Sequence, residues 1–120
     1  MEKNITLGLS QFENKLRQQQ YDLVYLNIAE QISKLSICKR KQVGSIIVKN
    51  NIIISSGYNK NITNNCLCED EFGNTLWSTF HSEFISIMEC SKENLIGATM
   101  YITLRPCKNC SKLILQSGIK

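Results

Sequence analysis

Two cysteines near the C-terminal end of the chain have the spacing of ligands for one metal ion. Cys107 and Cys110 are three positions apart, and in a helix this spacing puts both side chains on one face. Pro106 directly before them is predicted to occupy the first helical position. In the first turn, unpaired backbone N–H groups and the helix dipole favour thiolates over thiols. A C-x-x-C pair on its own is equally typical of a redox pair or of half a zinc knuckle.

The single histidine of the chain is a candidate third ligand. His81 lies 26 residues before Cys107, and Glu83 follows it by two positions. A strand is predicted between the two helices, so their first turns can meet on one face of a sheet. One His and two Cys leave a tetrahedral position of zinc open, as catalytic zinc sites do. A carboxylate beside that position can take a proton from water and later return it. His-x-Glu alone also occurs by chance, so the prediction rests on the combination.

Composition excludes several classes of protein. The 120 residues, 42% apolar and 20% charged, suit one folded domain. No apolar run approaches the roughly 18–20 residues of a membrane-spanning helix, and the first 20 residues lack a signal-peptide pattern. We therefore expect a cytoplasmic protein without membrane contact, whose six cysteines are metal ligands or buried side chains. The net charge of +4 is too weak to indicate binding of duplex nucleic acid, but it is compatible with a small anionic ligand.

Hydrophobic periodicity predicts the elements that position these residues. The predicted elements are a polar arm at 1–20, a helix at 21–35, strands at 43–48, 52–56 and 98–104, and helices at 79–90 and 106–118. The predicted N-terminal cap of the helix at 79–90 is Thr79 or Ser78. The predicted C-terminal cap of the last helix is Gly118. The first two strands form a predicted hairpin. Cys90 is expected to be a buried apolar residue. The order indicates a single layered α/β domain.

The order His-x-Glu followed by Pro-Cys-x-x-Cys resembles the signature of zinc deaminases that act on cytosine or adenine bases. Four further segments are similar to the deoxycytidylate (dCMP) deaminase family, within the cytidine and deoxycytidylate deaminase superfamily. These segments are 42–48, 56–59, 97–104 and 117–120. Riboflavin-pathway deaminases usually have a longer insert between the cysteines, and tRNA adenosine deaminases a different segment at 57–59. The resemblance covers residues 21–120.

The resemblance implies a cytidine-deaminase-like, three-layer α/β/α domain with a mixed sheet at 21–120, after the arm at 1–20. Family members usually continue into a fourth strand, so we expect a domain that is truncated after its third strand and the following helix. Such an end leaves a sheet edge exposed. Two alternatives therefore stay open, a deaminase of another nucleoside or base and a zinc-stabilised, non-catalytic fragment or interaction module.

The resemblance also implies an activity, the hydrolytic deamination of dCMP to dUMP and ammonia, which supplies dUMP for thymidylate synthesis. Glu83 is expected to carry protons between water, N3 of cytosine and the leaving amine. The metal is expected to be Zn²⁺. Its ligands are expected to be His81, Cys107 and Cys110.

Contacts to the substrate follow from the same resemblance. Asn59 is expected to hydrogen-bond the deoxyribose, and the backbone N–H of Ser82 the carbonyl of the base. Ser82 stands where the family usually has Ala, and Arg105 where it often has Glu. A basic run is a candidate for the phosphate by charge alone, although a solvated surface patch explains it equally well. The run consists of Lys39, Arg40 and Lys41.

The remaining expectations concern a second metal, effectors and assembly. Some relatives hold a second, structural zinc with cysteines at similar positions, although this chain offers no second histidine as a fourth ligand. These cysteines are Cys38, Cys66 and Cys68. By resemblance, the protein is expected to be a homo-oligomer and to respond to dCTP and dTTP.

Overall fold

The computed structural model describes residues 10–38, 41–61 and 79–120. Its helices and strands follow the predicted order of helix, strand, strand, helix, strand, helix, and a two-residue ladder and a one-turn helix are added to it. The elements are α1 Ser10–Ser33, β1 Gly44–Lys49, β2 Ile52–Tyr58, β3 Lys60–Asn61, β4 Thr79–Phe80, α2 Ser82–Met88, α3 Lys92–Leu95, β5 Thr99–Ile102 and α4 Lys108–Ser117.

A three-stranded sheet of order β2-β1-β5 forms the middle layer. Alternate side chains of β1 point to opposite faces. Ile46 and Val48 pack with Tyr25 and Ala29 of α1, whereas Ile47 packs on the other face in a cluster with residues of α2 and α3. Helix α4 packs against α2 on that second face. The predicted three-layer α/β/α architecture is confirmed, with the core on both faces of β1.

Both strand pairs of this sheet are antiparallel. The resemblance implied a mixed sheet, but the residues described here contain no parallel pair. The reason is the path of the chain. From β2 it passes through α2 and crosses over β1, so that β5 runs in the direction of β2 and pairs with β1 from the opposite side.

The predicted hairpin between β1 and β2 is confirmed. Asn50 and Asn51 both have positive φ angles, 52° and 61°. Two consecutive residues in this region form the turn whose twist matches that of paired strands, and asparagine tolerates the conformation better than most residues.

Helix α1 begins at Ser10, well before the predicted start at residue 21, and therefore crosses the predicted boundary between arm and domain. Its apolar residues form two stripes on opposite sides. The stripe that covers the sheet consists of Tyr21, Tyr25, Ile28, Ala29 and Ile32. The outer stripe, whose side chains are 41% to 71% exposed, consists of Phe12, Leu16, Leu23 and Leu26. Residues 11–20 are all exposed, so the periodicity of a core-facing helix starts only at residue 21.

Among the helices of the described residues, none combines the length and the apolar character needed to cross a membrane.

Two glycines allow helices to lie very close to the sheet. A Cβ at Gly57 in β2 would lie 2.5 Å from the carbonyl oxygen of Ser82 and 2.8 Å from the backbone nitrogen of Ser86. A Cβ at Gly44 in β1 would collide with the carbonyl oxygen of Ala29 in α1. Because such distances are too short for any side chain, glycine at these two positions fixes the distance of α1 and α2 from the sheet.

Candidate metal and catalytic site

His81 is the N-cap residue of α2. Thr79 and Phe80 directly before it pair with β3, so the helix starts later than predicted and Thr79 does not cap it. The other predicted cap, Ser78, lies outside the described residues. The His81 side chain makes no capping hydrogen bond to its own helix. Its imidazole instead faces the first turn of α4.

Cys107 is the N-cap residue of α4, and its sulfur accepts a hydrogen bond from the backbone N–H of Cys110 at 3.4 Å. Pro106 therefore precedes the cap, and the prediction that it occupies the first helical position is wrong. The extended backbone of Cys107 lets the sulfur take the capping role. Gly118 ends the helix with a φ of 89°, as predicted.

The three predicted ligands lie together. Nδ1 of His81 is 3.5 Å from Sγ of Cys107 and 3.3 Å from Sγ of Cys110. All three ligand atoms lie within 4.8 Å of one another. Ligands of a tetrahedral zinc at about 2.0 Å for nitrogen and about 2.3 Å for sulfur are about 3.5 Å apart. The spacing of these atoms therefore fits Zn²⁺.

The electrostatics of the cluster also favour a cation. Burial raises the pKa of the Cys110 thiol far above its ordinary value, and the Glu83 carboxylate and the hydrogen bond with Cys107 raise it further. A buried thiol beside a carboxylate and a second sulfur is therefore disfavoured as a thiolate unless positive charge lies next to it. A bound zinc ion supplies that charge and deprotonates its thiol ligands.

Glu83 is the second residue of α2 and is only 3% exposed. Its place in the first turn is favourable for a carboxylate because the helix dipole is positive there. The hydroxyl of Ser82, which is fully buried, donates a hydrogen bond to Oε1 of Glu83 at 2.9 Å. The sequence offered no signal for this bond, since neighbouring side chains in a helix usually diverge.

Buried serines fasten α2 to the sheet. Ser45 in β1 donates a hydrogen bond to the hydroxyl of Ser86 at 3.0 Å, and Ser55 in β2 donates to the carbonyl oxygen of Ser86 at 2.6 Å. These two bonds join both strands to the middle of α2. They add stability to the packing of α2 on the sheet, and neither bond involves His81 or Glu83 at the start of the helix.

Asn59, the predicted deoxyribose contact, is buried and already holds backbone. Its Oδ1 accepts from the N–H of Val43 at 2.9 Å, and its Nδ2 donates to the carbonyl oxygen of Lys41 at 2.7 Å. Each amide group has one further donor or lone pair, so a contact to a ligand stays a prediction. Lys41 is exposed, and the other two residues of the basic run lie outside the described residues.

The other cysteines are less completely described. Cys38 is buried, its sulfur is in a disulfide, and Sγ lies 3.8 Å from the carbonyl oxygen of Asn59. Cys66 and Cys68 lie outside the described residues, so a second zinc site stays a prediction. Cys90 packs against the cluster around Ile47, but it is half-buried and not buried as predicted.

Comparison with known proteins gives the same family that the motifs resemble. Residues 19–120 match the family model described as the cytidine and deoxycytidylate deaminase zinc-binding region. Deoxycytidylate deaminase of Mycobacterium phage D29 is 32% identical over an alignment of 115 positions, which covers 83% of this chain and 90% of the phage protein. Deoxycytidylate deaminase of Enterobacteria phage T4 is 32% identical over an alignment of 139 positions, which covers 79% of this chain and 72% of that protein.

A solved structure agrees with these matches. The dCMP deaminase of cyanophage S-TIM5, crystallised in complex with dCMP and dUMP, superposes with a TM-score of 0.73 at 37% sequence identity. The superposition covers 81% of this chain and 74% of the cyanophage chain. Family model, sequence relatives and structure thus agree with the geometry of the three ligands. The chain belongs to the cytidine and deoxycytidylate deaminase family.

Proposed function

We propose that this protein is a zinc-dependent hydrolase that deaminates dCMP to dUMP and ammonia. The observation that carries the proposal is the cluster of His81, Cys107 and Cys110 beside the buried carboxylate of Glu83. The choice of substrate is supported by two phage relatives that are deoxycytidylate deaminases and by the cyanophage structure with dCMP and dUMP.

The roles of the residues follow from their chemistry. Zinc, when bound, is a Lewis acid that makes water more acidic. Glu83 takes a proton from the attacking water and delivers it to N3 of cytosine, which makes C4 more electrophilic. The water oxygen forms a bond to C4. Glu83 then takes the second proton from the oxygen bonded to C4 and transfers it to the amino nitrogen. The C4–N bond breaks, and ammonia leaves. One water is consumed, and the proton at N3 stays in the product.

Substrate orientation falls to backbone and amide groups near the metal ligands. The N–H of Ser82 belongs to the first turn of α2, where helical N–H groups have no partner within the helix. It can therefore donate to the carbonyl oxygen of the base. The remaining N–H of Asn59 can donate to the deoxyribose, and Lys41 can approach the phosphate.

The proposal is tested by comparing substrates. The zinc-loaded protein is mixed with dCMP, deoxycytidine and dCTP in parallel, and the loss of cytosine absorbance is followed. We expect turnover of dCMP and a kcat/KM for deoxycytidine at least about 100-fold lower, because the nucleoside lacks the charged phosphate. Equal turnover of deoxycytidine would contradict the proposed substrate. Bound zinc without turnover of any of the three substrates would contradict the proposed enzyme activity and favour a non-catalytic module.

Self-association is proposed as well, with a second copy of this chain as the partner. The outer stripe of α1 repeats at intervals of four and three residues if Gln19 is included, which is the spacing of a helix that pairs with another helix. An identical stripe on a second copy can cover it in a two-fold arrangement.

Regulation by dCTP and dTTP and a cytoplasmic location stay predictions. Initial rates of dCMP turnover, measured with dCTP or dTTP added, test the predicted regulation.

A second zinc is the last proposal drawn from the resemblance. We propose that Cys38, once reduced, binds this ion together with Cys66 and Cys68. The burial of Cys38 supports a structural role. Zinc content of the reduced protein is expected to be two ions per chain, and one in Cys38→Ser. One ion per chain in both proteins would contradict the second site.

A further inference from the structure

The hydroxyl of Ser82 donates a hydrogen bond to Glu83, the carboxylate that makes both proton transfers in the proposed mechanism. We propose that Ser82 is a positioning residue that holds the Glu83 carboxylate in its working orientation. The inference rests on the proposed function, and it adds a role for the Ser82 side chain to the one proposed for its backbone N–H.

The geometry of the bond is specific. Successive side chains of a helix point about 100° apart, so neighbours do not ordinarily meet. Here Oγ of Ser82 nevertheless lies 2.9 Å from Oε1 of Glu83. Both side chains must therefore turn toward each other, and the bond restricts the torsion angles of Glu83. Because the bond uses Oε1 only as an acceptor, lone pairs on the carboxylate stay available for a proton.

Burial makes this bond strong. Ser82 is fully buried and Glu83 is 3% exposed, so water competes little for either group. A hydrogen bond to an ionised group in such surroundings is about twice as strong as one between neutral groups. Without the hydroxyl, the carboxylate loses a fixed donor and can turn within its pocket. Proton transfer depends on placement of the carboxylate to a fraction of an ångström.

The position of Ser82 in α2 explains why its hydroxyl is available. As the first residue of the helix, it has no helical carbonyl one turn earlier to which the hydroxyl could donate. Ser86, one turn later, donates instead to the carbonyl oxygen of Glu83 at 3.1 Å. The two serines thus hold the side chain and the backbone of the same residue.

Three variants separate positioning from a purely structural role. Ser82→Ala removes the hydroxyl, and Ser82→Thr keeps it while adding a methyl group at a fully buried position. Ser55→Ala is the matched control, because it removes a buried hydroxyl that binds the same helix at Ser86 without contact to Glu83. For each variant, kcat and KM for dCMP, zinc content and Tm are measured, and crystal structures of the wild type and Ser82→Ala show the Glu83 side chain.

We expect Ser82→Ala to lower kcat about tenfold with unchanged KM and zinc content, and Ser55→Ala to lower Tm with kcat within twofold of wild type. Ser82→Thr should have a lower Tm than Ser82→Ala but a higher kcat, an order that a structural role cannot produce. In crystals, Glu83 should occupy more than one rotamer in Ser82→Ala and a single one in the wild type.

A kcat of Ser82→Ala within twofold of wild type, or a single unchanged Glu83 rotamer in its crystal structure, would overturn the inference. If Ser82→Thr does not fold, the comparison of Ser82→Ala with Ser55→Ala decides. Failure of the proposed function is a separate outcome, since the wild-type protein itself would then leave dCMP unchanged.

Discussion

The orientation of the side chains in the site depends on whether each one caps the helix at whose start it lies. His81 stands at an N-cap position but leaves the capping role unfilled, and its ring turns to the sulfurs. Cys107 does the opposite and caps α4 with the sulfur that also faces His81. Two helix starts thus supply the three candidate ligands. Such a site is sensitive to each ligand, because no other histidine exists in the sequence to replace one.

Cys110→Ser should lower zinc affinity at least about 100-fold, because serine is a far weaker ligand than thiolate for this metal. Cys90→Ser is the matched control, a half-buried thiol on α2's C-terminal side that is not part of the cluster. Zinc content after dialysis against a weak chelator measures the difference. A zinc content of Cys110→Ser equal to that of Cys90→Ser would contradict the assignment of this residue as a ligand.

How much of the site the sequence predicts depends on the range of each interaction. The three-residue spacing of Cys107 and Cys110 is a local pattern, and it predicted correctly that both sulfurs lie together at the start of one helix. The hydrogen bond between Ser82 and Glu83 depends on the rotamers of both side chains. The hydrogen bond from the N–H of Val43 to Asn59 depends on the packing of segments that are distant in sequence. Residue types and spacing contain neither kind of information.

At the scale of elements, close packing of helices on the sheet places the site. Gly57 lets the first turn of α2 touch β2, and the hydrogen bonds of the buried serines add stability to this packing. The short pairing of β3 with β4 delays the start of α2 to Ser82. Two-residue strands leave no periodicity in a sequence, which is why the helix was predicted to start too early.

Gly57→Ala should lower the free energy of unfolding by about 1–3 kcal/mol, because its Cβ forces α2 away from β2. It should also weaken zinc binding, since His81 moves with α2. Gly44→Ala is the matched control and forces α1 away on the opposite face of the sheet. Denaturant unfolding and zinc titration test both variants. Equal zinc affinity of the two variants would contradict the link between this contact and the metal site.

A second link between elements joins α1 to β5. The hydroxyl of Tyr101 donates a 2.6 Å hydrogen bond to Asp22, and burial, followed by this bond, raises the pKa of Tyr101 well above its ordinary value. Tyr101→Phe should lower the free energy of unfolding by about 1–2 kcal/mol at pH 7.

The raised pKa of Tyr101 also sets a pH dependence. Above about pH 10 the unfolded chain releases the tyrosine proton while the folded chain keeps it, so stability falls as pH rises. Tyr101→Phe should lose less stability than the wild type between pH 9 and about pH 11, as followed by urea unfolding. Parallel losses in both proteins would contradict a raised pKa of Tyr101 in the folded state.

At the scale of the whole molecule, helices cover both faces of the sheet and one helix has an additional apolar side. The layers follow from alternation along β1, where Ile46 and Ile47 serve opposite cores. The sequence therefore predicts the layered architecture well. It predicts α1 poorly, because apolar residues on two opposite sides blur the pattern of a one-sided helix.

Leu23→Lys should shift the protein from dimer or higher oligomer to monomer, since it places a charge in the outer stripe of α1. Val24→Lys is the matched control, a similarly exposed residue beside the stripe. Light scattering after gel filtration measures the mass of each. A wild-type monomer, or an unchanged mass of Leu23→Lys, would contradict self-association through α1.

The central claim, that Glu83 moves protons beside a metal held by three neighbouring residues, is tested most directly by Glu83→Gln. Zinc content and dCMP turnover are measured together on the wild type and this variant. We expect one zinc at this site in both proteins and a kcat lowered at least about 100-fold in the variant, because an amide cannot take up the proton. Turnover of dCMP by Glu83→Gln at a rate near that of the wild type would contradict the account.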